Sequence, residues 1–98
     1  MIVEFSTEAE SDLERIADYI AKDNPRRALS LVQELRGKCE SLVDVPLGFP
    51  LVPRYERHGI HRRVHGNYLI SYRVDGENVV VIHVLHGVMD YAAILIEP

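Results

Sequence analysis

The sequence predicts an α+β domain of order β-α-α-β-β-β: an antiparallel helical hairpin packed on one face of a small, mainly antiparallel sheet, with a short C-terminal segment. Three observations carry that expectation. Residues 60–86 break into β-rich runs, Ile60–His65, Tyr68–Val74 and Val79–His86, separated by Gly66-Asn67 and Asp75-Gly76-Glu77-Asn78. Turn residues of this kind between such runs mark a meander of hairpins. Upstream, two stretches of helical period are joined only by Asp23-Asn24-Pro25, and so short a link forces neighbouring helices to fold back on each other. The length of 98 residues leaves room for one core, so 1–98 is expected as a single domain.

Met1–Phe5, with β-branched Ile2 and Val3, reads as a first strand. Ser6 and Thr7 then offer an N-cap, and Thr7-x-x-Glu10 has the form of a capping box. Glu8, Glu10 and Asp12 fall in the first turns, where the helix dipole favours acids. Leu13, Ile16, Ala17 and Ile20 make one apolar stripe of a helix running to about Lys22. Asn24 is placed to cap the next helix and Pro25 to open it. That helix carries Ala28, Val32, Leu35, Cys39 and Leu42 on one seam and stops at Asp44-Val45-Pro46. Gly37 inside it costs about 1 kcal/mol relative to alanine unless close packing uses the gap. Leu47–Gly59, punctuated by glycine and proline yet containing Phe49, Leu51 and Val52, is a loop expected to lie against the core.

In the second β run, Tyr68, Ile70, Tyr72 and Val74 point one way and Leu69, Ser71 and Arg73 the other. In the third, strict alternation places Val80, Ile82, Val84 and His86 on one face and Val79, Val81, His83 and Leu85 on the opposite one. That run is apolar on both faces, which predicts a central strand. Tyr91–Ile96, YAAILI, is expected as a short helix or a tail docked on the sheet.

Charge is divided along the chain. Residues 1–24 hold seven acids against Arg15 and Lys22, 2 − 7 = −5; residues 54–73 hold Arg54, Arg57, Arg62, Arg63 and Arg73 against Glu56, 5 − 1 = +4. The net −4 argues against direct nucleic-acid binding by charge alone, while the basic middle suits an anionic partner. Arg63 or Arg62 beside Arg73 across a hairpin would form a cationic patch; a merely solvated, salt-bridged sheet face is the competing reading. No apolar run is long enough for a membrane span and no secretory signal is visible. Cys39 is the single cysteine, so a reducing cytoplasm is the expected setting. Phosphate loops, nucleophile elbows and paired-cysteine motifs are absent from the sequence. His58, His61 and His65 lack the acid or thiol that would complete a metal set, and His83 and His86 point to opposite sides of a strand. No metal and no cofactor are expected.

Several of these residues together resemble the RelE/ParE toxin superfamily, more closely its ParE branch. The matching pieces are SDLERIADYIAKDNPRRA, the Cys39–Pro46 turn, GNYLISYRV, and VVVIHVLHG followed by an Asp, spread from Phe5 to Ile94. The resemblance implies the same β-α-α-β-β-β order and two candidate activities. RelE-like relatives are ribosome-dependent endoribonucleases whose pattern carries arginines and often a tyrosine where this chain has Leu69, Met89 and about Leu95. Leucine and methionine neither hold a phosphate nor move a proton, although His86 and Tyr91 lie near. ParE-like relatives act without chemistry, by binding DNA gyrase and trapping its cleaved-DNA state. The expectation is therefore a non-enzymatic, gyrase-inhibiting toxin neutralised by a cognate antitoxin. An mRNA endoribonuclease and a non-toxic antitoxin-binding relative are the alternatives. Arg62, Arg63, Arg73, His86, Met89, Asp90 and Tyr91 are the expected partner-binding residues.

Overall fold

The first reversal of the chain is made at Ser6. Its Oγ accepts the Ala9 N–H at 2.9 Å, and its hydroxyl donates to the Ile82 carbonyl at 2.7 Å. One side chain thus caps a helix and fastens it to the sheet. Strand β1 (Val3–Phe5) precedes it and helix α1 (Thr7–Ala21) follows. The structure, a computed structural model, describes residues 1–86; the expectations placed on Met89, Asp90, Tyr91 and the YAAILI segment lie outside the described residues. The Thr7-Glu10 capping box does not form, because the cap is one residue earlier, at Ser6. Glu10 instead pairs with Arg36 at 2.8 Å, joining α1 to helix α2 (Pro25–Glu40).

Asn24 and Pro25 act as the sequence predicts: the Asn24 side chain accepts the Arg27 N–H at 3.1 Å and Pro25 opens α2. The two helices form an antiparallel hairpin over one face of a four-stranded sheet of order β1-β4-β3-β2, with β2 His61–His65, β3 Tyr68–Asp75 and β4 Asn78–His86. Pairing is antiparallel throughout the β2-β3-β4 meander and parallel between β1 and β4. This is the α+β architecture expected, and β4 is a central strand. Gly66 and Gly76 take φ of 59° and 62° in the two hairpin turns, a region that a residue with a Cβ enters at a cost.

One departure reorganises β4. Ser71 pairs with His83 but Tyr72 pairs with Val81, so Ile82 is an extra residue, a β-bulge. The bulge switches the alternation. Val79 and Val81 share the helix-facing side with Val84, not with His83 and Leu85 as strict alternation predicts. All three valines are buried, with Ile70 and Tyr72 of β3, against Ala9, Leu13, Leu31, Leu35, Cys39 and Leu42. In α2 the seam includes Leu31, while Val32 is only half-buried; in α1 Leu13 is buried, while Ile16, Ala17 and Ile20 are half-buried.

The loop between α2 and β2 lies against the core as expected. Val52 is fully buried, its N–H donates to the Ile60 carbonyl at 2.8 Å, and Leu51 bridges to His61. The Tyr72 hydroxyl donates to the Pro46 carbonyl at 2.9 Å, and burial raises its pKa. Among the described residues, no helix is long and apolar enough to cross a membrane.

Gly37 has no packing reason to be glycine, since a Cβ there would meet nothing within 4 Å. Gly37→Ala is expected to stabilise the protein by about 0.5–1 kcal/mol, measured as a higher denaturation midpoint. Burial pushes the Cys39 thiol from 9.0 up to about 12. The folded state therefore keeps its proton longer than the unfolded chain does. The resulting contribution to stability is intact below pH 9.0 and is lost as pH climbs toward about 12. Thiol reagents at pH 8 are expected to label Cys39 only as fast as the protein opens, and rapid labelling of folded protein would contradict this burial.

Candidate functional site

The sheet has two faces with different chemistry. On the face away from the helices, Arg62 pairs with Ser71, and Arg73 follows two residues further along β3. Arg62 and Arg73 are thus diagonal neighbours on one surface, a spacing that long side chains bridge. Arg73 is exposed, and its closest acid is Asp75 at 3.9 Å. Beside them runs a cross-strand row, Val64–Leu69–Leu85, with Val64 65% exposed. Leu69 therefore sits in an apolar row.

Arg63 is on the opposite side. Its guanidinium lies 4.7 Å over the Phe49 ring and donates to the Lys38 carbonyl at 3.0 Å and the Ser41 Oγ at 2.7 Å. A cation at the end of α2 complements the helix dipole and its last carbonyls. Arg63 is a tie between sheet and helix, and the structure does not bring it together with Arg62 and Arg73. His65 shares this side, 3.5 Å from Glu34. Hydrogen bonds from Arg27 and then His65 lower the Glu34 pKa. His61 is buried, not solvated: Nδ1–H donates to the Phe49 carbonyl at 2.8 Å, and its ring stacks on Tyr72 at 5.0 Å. His58, in a 3-10 turn (Glu56–His58), is exposed.

The least expected cluster centres on Asp12. By its position in the first turns of α1 this acid is expected only to complement the helix dipole, yet it is 5% exposed. Its Oδ2 accepts the Val84 N–H at 3.0 Å and the His83 Nδ1–H at 2.7 Å; its Oδ1 accepts from Arg15 at 3.0 Å. A carboxylate only accepts, so the imidazole proton is held on Nδ1. These residues lie on the wall of a groove of about 460 Å³ between α1 and the end of β4. Ile16, Tyr19, Ile20, Tyr68, Leu85 and His86 supply most of the remaining wall. His86, an expected site residue, is exposed and meets Tyr68 edge-to-face at 5.1 Å. One signal for Asp12 was present in the sequence: it falls on the helical stripe between Ala9 and Ile16, where an acid is out of place.

The family model described as "ParE toxin of type II toxin-antitoxin system, parDE" matches residues 3–91. The chain belongs to this ParE toxin family. A solved chain of the chromosomal ParDE toxin–antitoxin system from P. aeruginosa is similar in fold, with a TM-score of 0.76 at 21% identity, covering 89% of this chain and 96% of that one. A chain of the RelBE2 toxin–antitoxin complex from Mycobacterium tuberculosis is similar at 28% identity and a TM-score of 0.57, covering 87% of this chain and 95% of that one. No curated protein matches.

In this ParE-type toxin the Asp12 carboxylate joins α1 to the sheet. Asp12→Ala strands the Val84 N–H and the His83 imidazole and is expected to cost about 2–3 kcal/mol. Asp12→Asn, which keeps an acceptor, should cost about 1 kcal/mol. Arg15→Ala, removing an exposed partner, should cost no more than about 1 kcal/mol. Denaturant midpoints with hydrogen exchange at the Val84 amide test the order; equal loss in all three variants would contradict it.

Proposed function

We propose that this ParE-type toxin acts by binding DNA gyrase rather than by cutting RNA, and that a cognate antitoxin neutralises it. The observation supporting this reading is the row Val64–Leu69–Leu85 on the outer face of the sheet. A ribonuclease of the related branch needs a phosphate-binding arginine at Leu69, and an aliphatic row supplies neither a cation nor a proton. Its exposed end, Val64 with half-buried Leu69 beside it, is suited to protein contact, while Leu85 is buried beneath. Arg62 and Arg73, next to the exposed Val64, suit an antitoxin segment that is acidic and bears aliphatic side chains.

The second reading is a ribonuclease with relocated chemistry. It draws on Asp12 and His83, since a carboxylate that holds the proton on Nδ1 leaves Nε2 as a base. His86 and Tyr68 stand on the same groove.

Purified toxin at micromolar concentration is expected to inhibit gyrase supercoiling and to accumulate cleaved complexes, with ribosome-bound mRNA left intact. Cleavage of that mRNA, lost in His83→Gln, would establish the second reading instead. Neither activity, together with unimpeded growth on induction, would leave an antitoxin-binding relative without toxicity. Replacing both Arg62 and Arg73 by Glu is expected to weaken antitoxin binding at least tenfold, about 1.4 kcal/mol, and unchanged affinity would remove this face from the interface.

A further inference from the structure

The loop between Val52 and Ile60 holds a backbone conformation that its sequence does not favour. Among the described residues, Arg54 is the single residue other than glycine with positive φ, 73°. The Tyr55 N–H donates to the Val52 carbonyl at 3.0 Å, closing a turn with Pro53 and Arg54 at its centre. Proline cannot take positive φ, so this is a type II turn, in which glycine is the usual occupant of the arginine's position. An arginine is held there at a cost that glycine avoids. The rest of the loop is equally fixed. The N–H groups of His58 and Gly59 donate to the Tyr55 and Glu56 carbonyls, both at 3.0 Å. At the base, the Val52 N–H donates to the Ile60 carbonyl at 2.8 Å.

What this fixed loop presents is positive charge. Arg54, Arg57 and His58 are exposed, with Glu56 as the one acid among them. Arg15, Arg27, Arg36 and Arg73 each have a carboxylate within ion-pair distance. Among the described residues, neither Arg54 nor Arg57 has such a partner. Half-buried Tyr55 follows Arg54, and its ring centroid lies 6.1 Å from that of His58. Guanidinium groups beside aromatic faces suit the phosphates and bases of a nucleic acid. An acidic protein segment is the poorer match, because residues 53–59, PRYERHG, offer no aliphatic side chain beyond the proline ring for it to cover. We propose that this loop is a contact site for the phosphate backbone of a nucleic acid, with Arg54 and Arg57 as its cations. The net charge of −4 opposes long-range attraction, so the contact is weak and confined to low salt. It does not depend on which target the toxin poisons.

Fluorescence anisotropy of the full chain with a labelled DNA duplex and with one of its single strands, over a salt series, tests the proposal. The wild type is expected to bind at low salt, and Arg54→Gly combined with Arg57→Gln to bind at least tenfold more weakly. Each lost duplex phosphate contact removes about 0.9 from the slope of log K against log salt, so the double variant should lose about 1.8. Lys22→Gln with Arg26→Gln removes the same charge from exposed positions at the turn of the helical hairpin and should change binding less than twofold. Arg54→Gly alone should raise the thermal denaturation midpoint while weakening binding, which separates a lost contact from a lost fold. Tighter binding of the single strand would add stacking on Tyr55 and His58 to the phosphate contact, whereas equal binding would mark the phosphates alone. No binding at low salt, equal losses in the two double variants, or binding of a poly-glutamate peptide in place of DNA would each overturn the proposal, the last by assigning the loop to an acidic protein.

Discussion

The bond between the Asp12 carboxylate and the Val84 amide is the constraint on which the arrangement depends. A strand edge offers N–H groups that must be paired, and β1 is too short to reach Val84. A side chain from α1 supplies the acceptor. Because Asp12 projects from a helix, satisfying that amide also fixes how far α1 lies along β4. Ser6 sets the start of the same helix by accepting from Ala9 and donating to Ile82. Two polar side chains, six residues apart, thus define the position of the helix over the sheet, and the apolar groove runs beside the helix so placed.

The bulge at Ile82 makes this geometry possible. Without the extra residue, Val84 would turn from the core and Leu85 would enter it. With it, β4 presents valines to the helices on both sides of the irregularity and sends His83 toward Asp12. The site chemistry and the core packing are consequences of the same single-residue shift. On the outer face, the aliphatic row through Leu69 and the diagonal of Arg62 and Arg73 follow from the undisturbed β2-β3 register.

The architecture was legible because each local signal agreed with the global fold. The Asn24-Pro25 start, the glycine turns and the apolar run of β4 each had one reading, and tertiary packing kept it. The capping box was misplaced because Ser6 and Thr7 are both competent caps; the carbonyl of Ile82, distant in sequence, favoured Ser6. The face of Val84 was misread because a bulge carries no glycine or proline to announce it here. Arg62 and Arg63 look alike in sequence, and only the position of the α2 terminus separates a structural tie from a surface cation. The Asp12–His83 pair joins residues 71 apart, and nothing local links them.

The parallel pairing of β1 with β4 also bears on how the protein is made. Val3 meets Val79, and Ser6 reaches Ile82 across 76 residues. A chain leaving the ribosome N-terminus first can form its helical hairpin early, because those contacts are local. Its first strand has no partner until nearly everything else has emerged. The sheet is therefore closed by its oldest residues, late in synthesis, and the finished toxin surface exists only after that step. Any partner that meets the growing chain before then meets a helical hairpin with an incomplete sheet beside it.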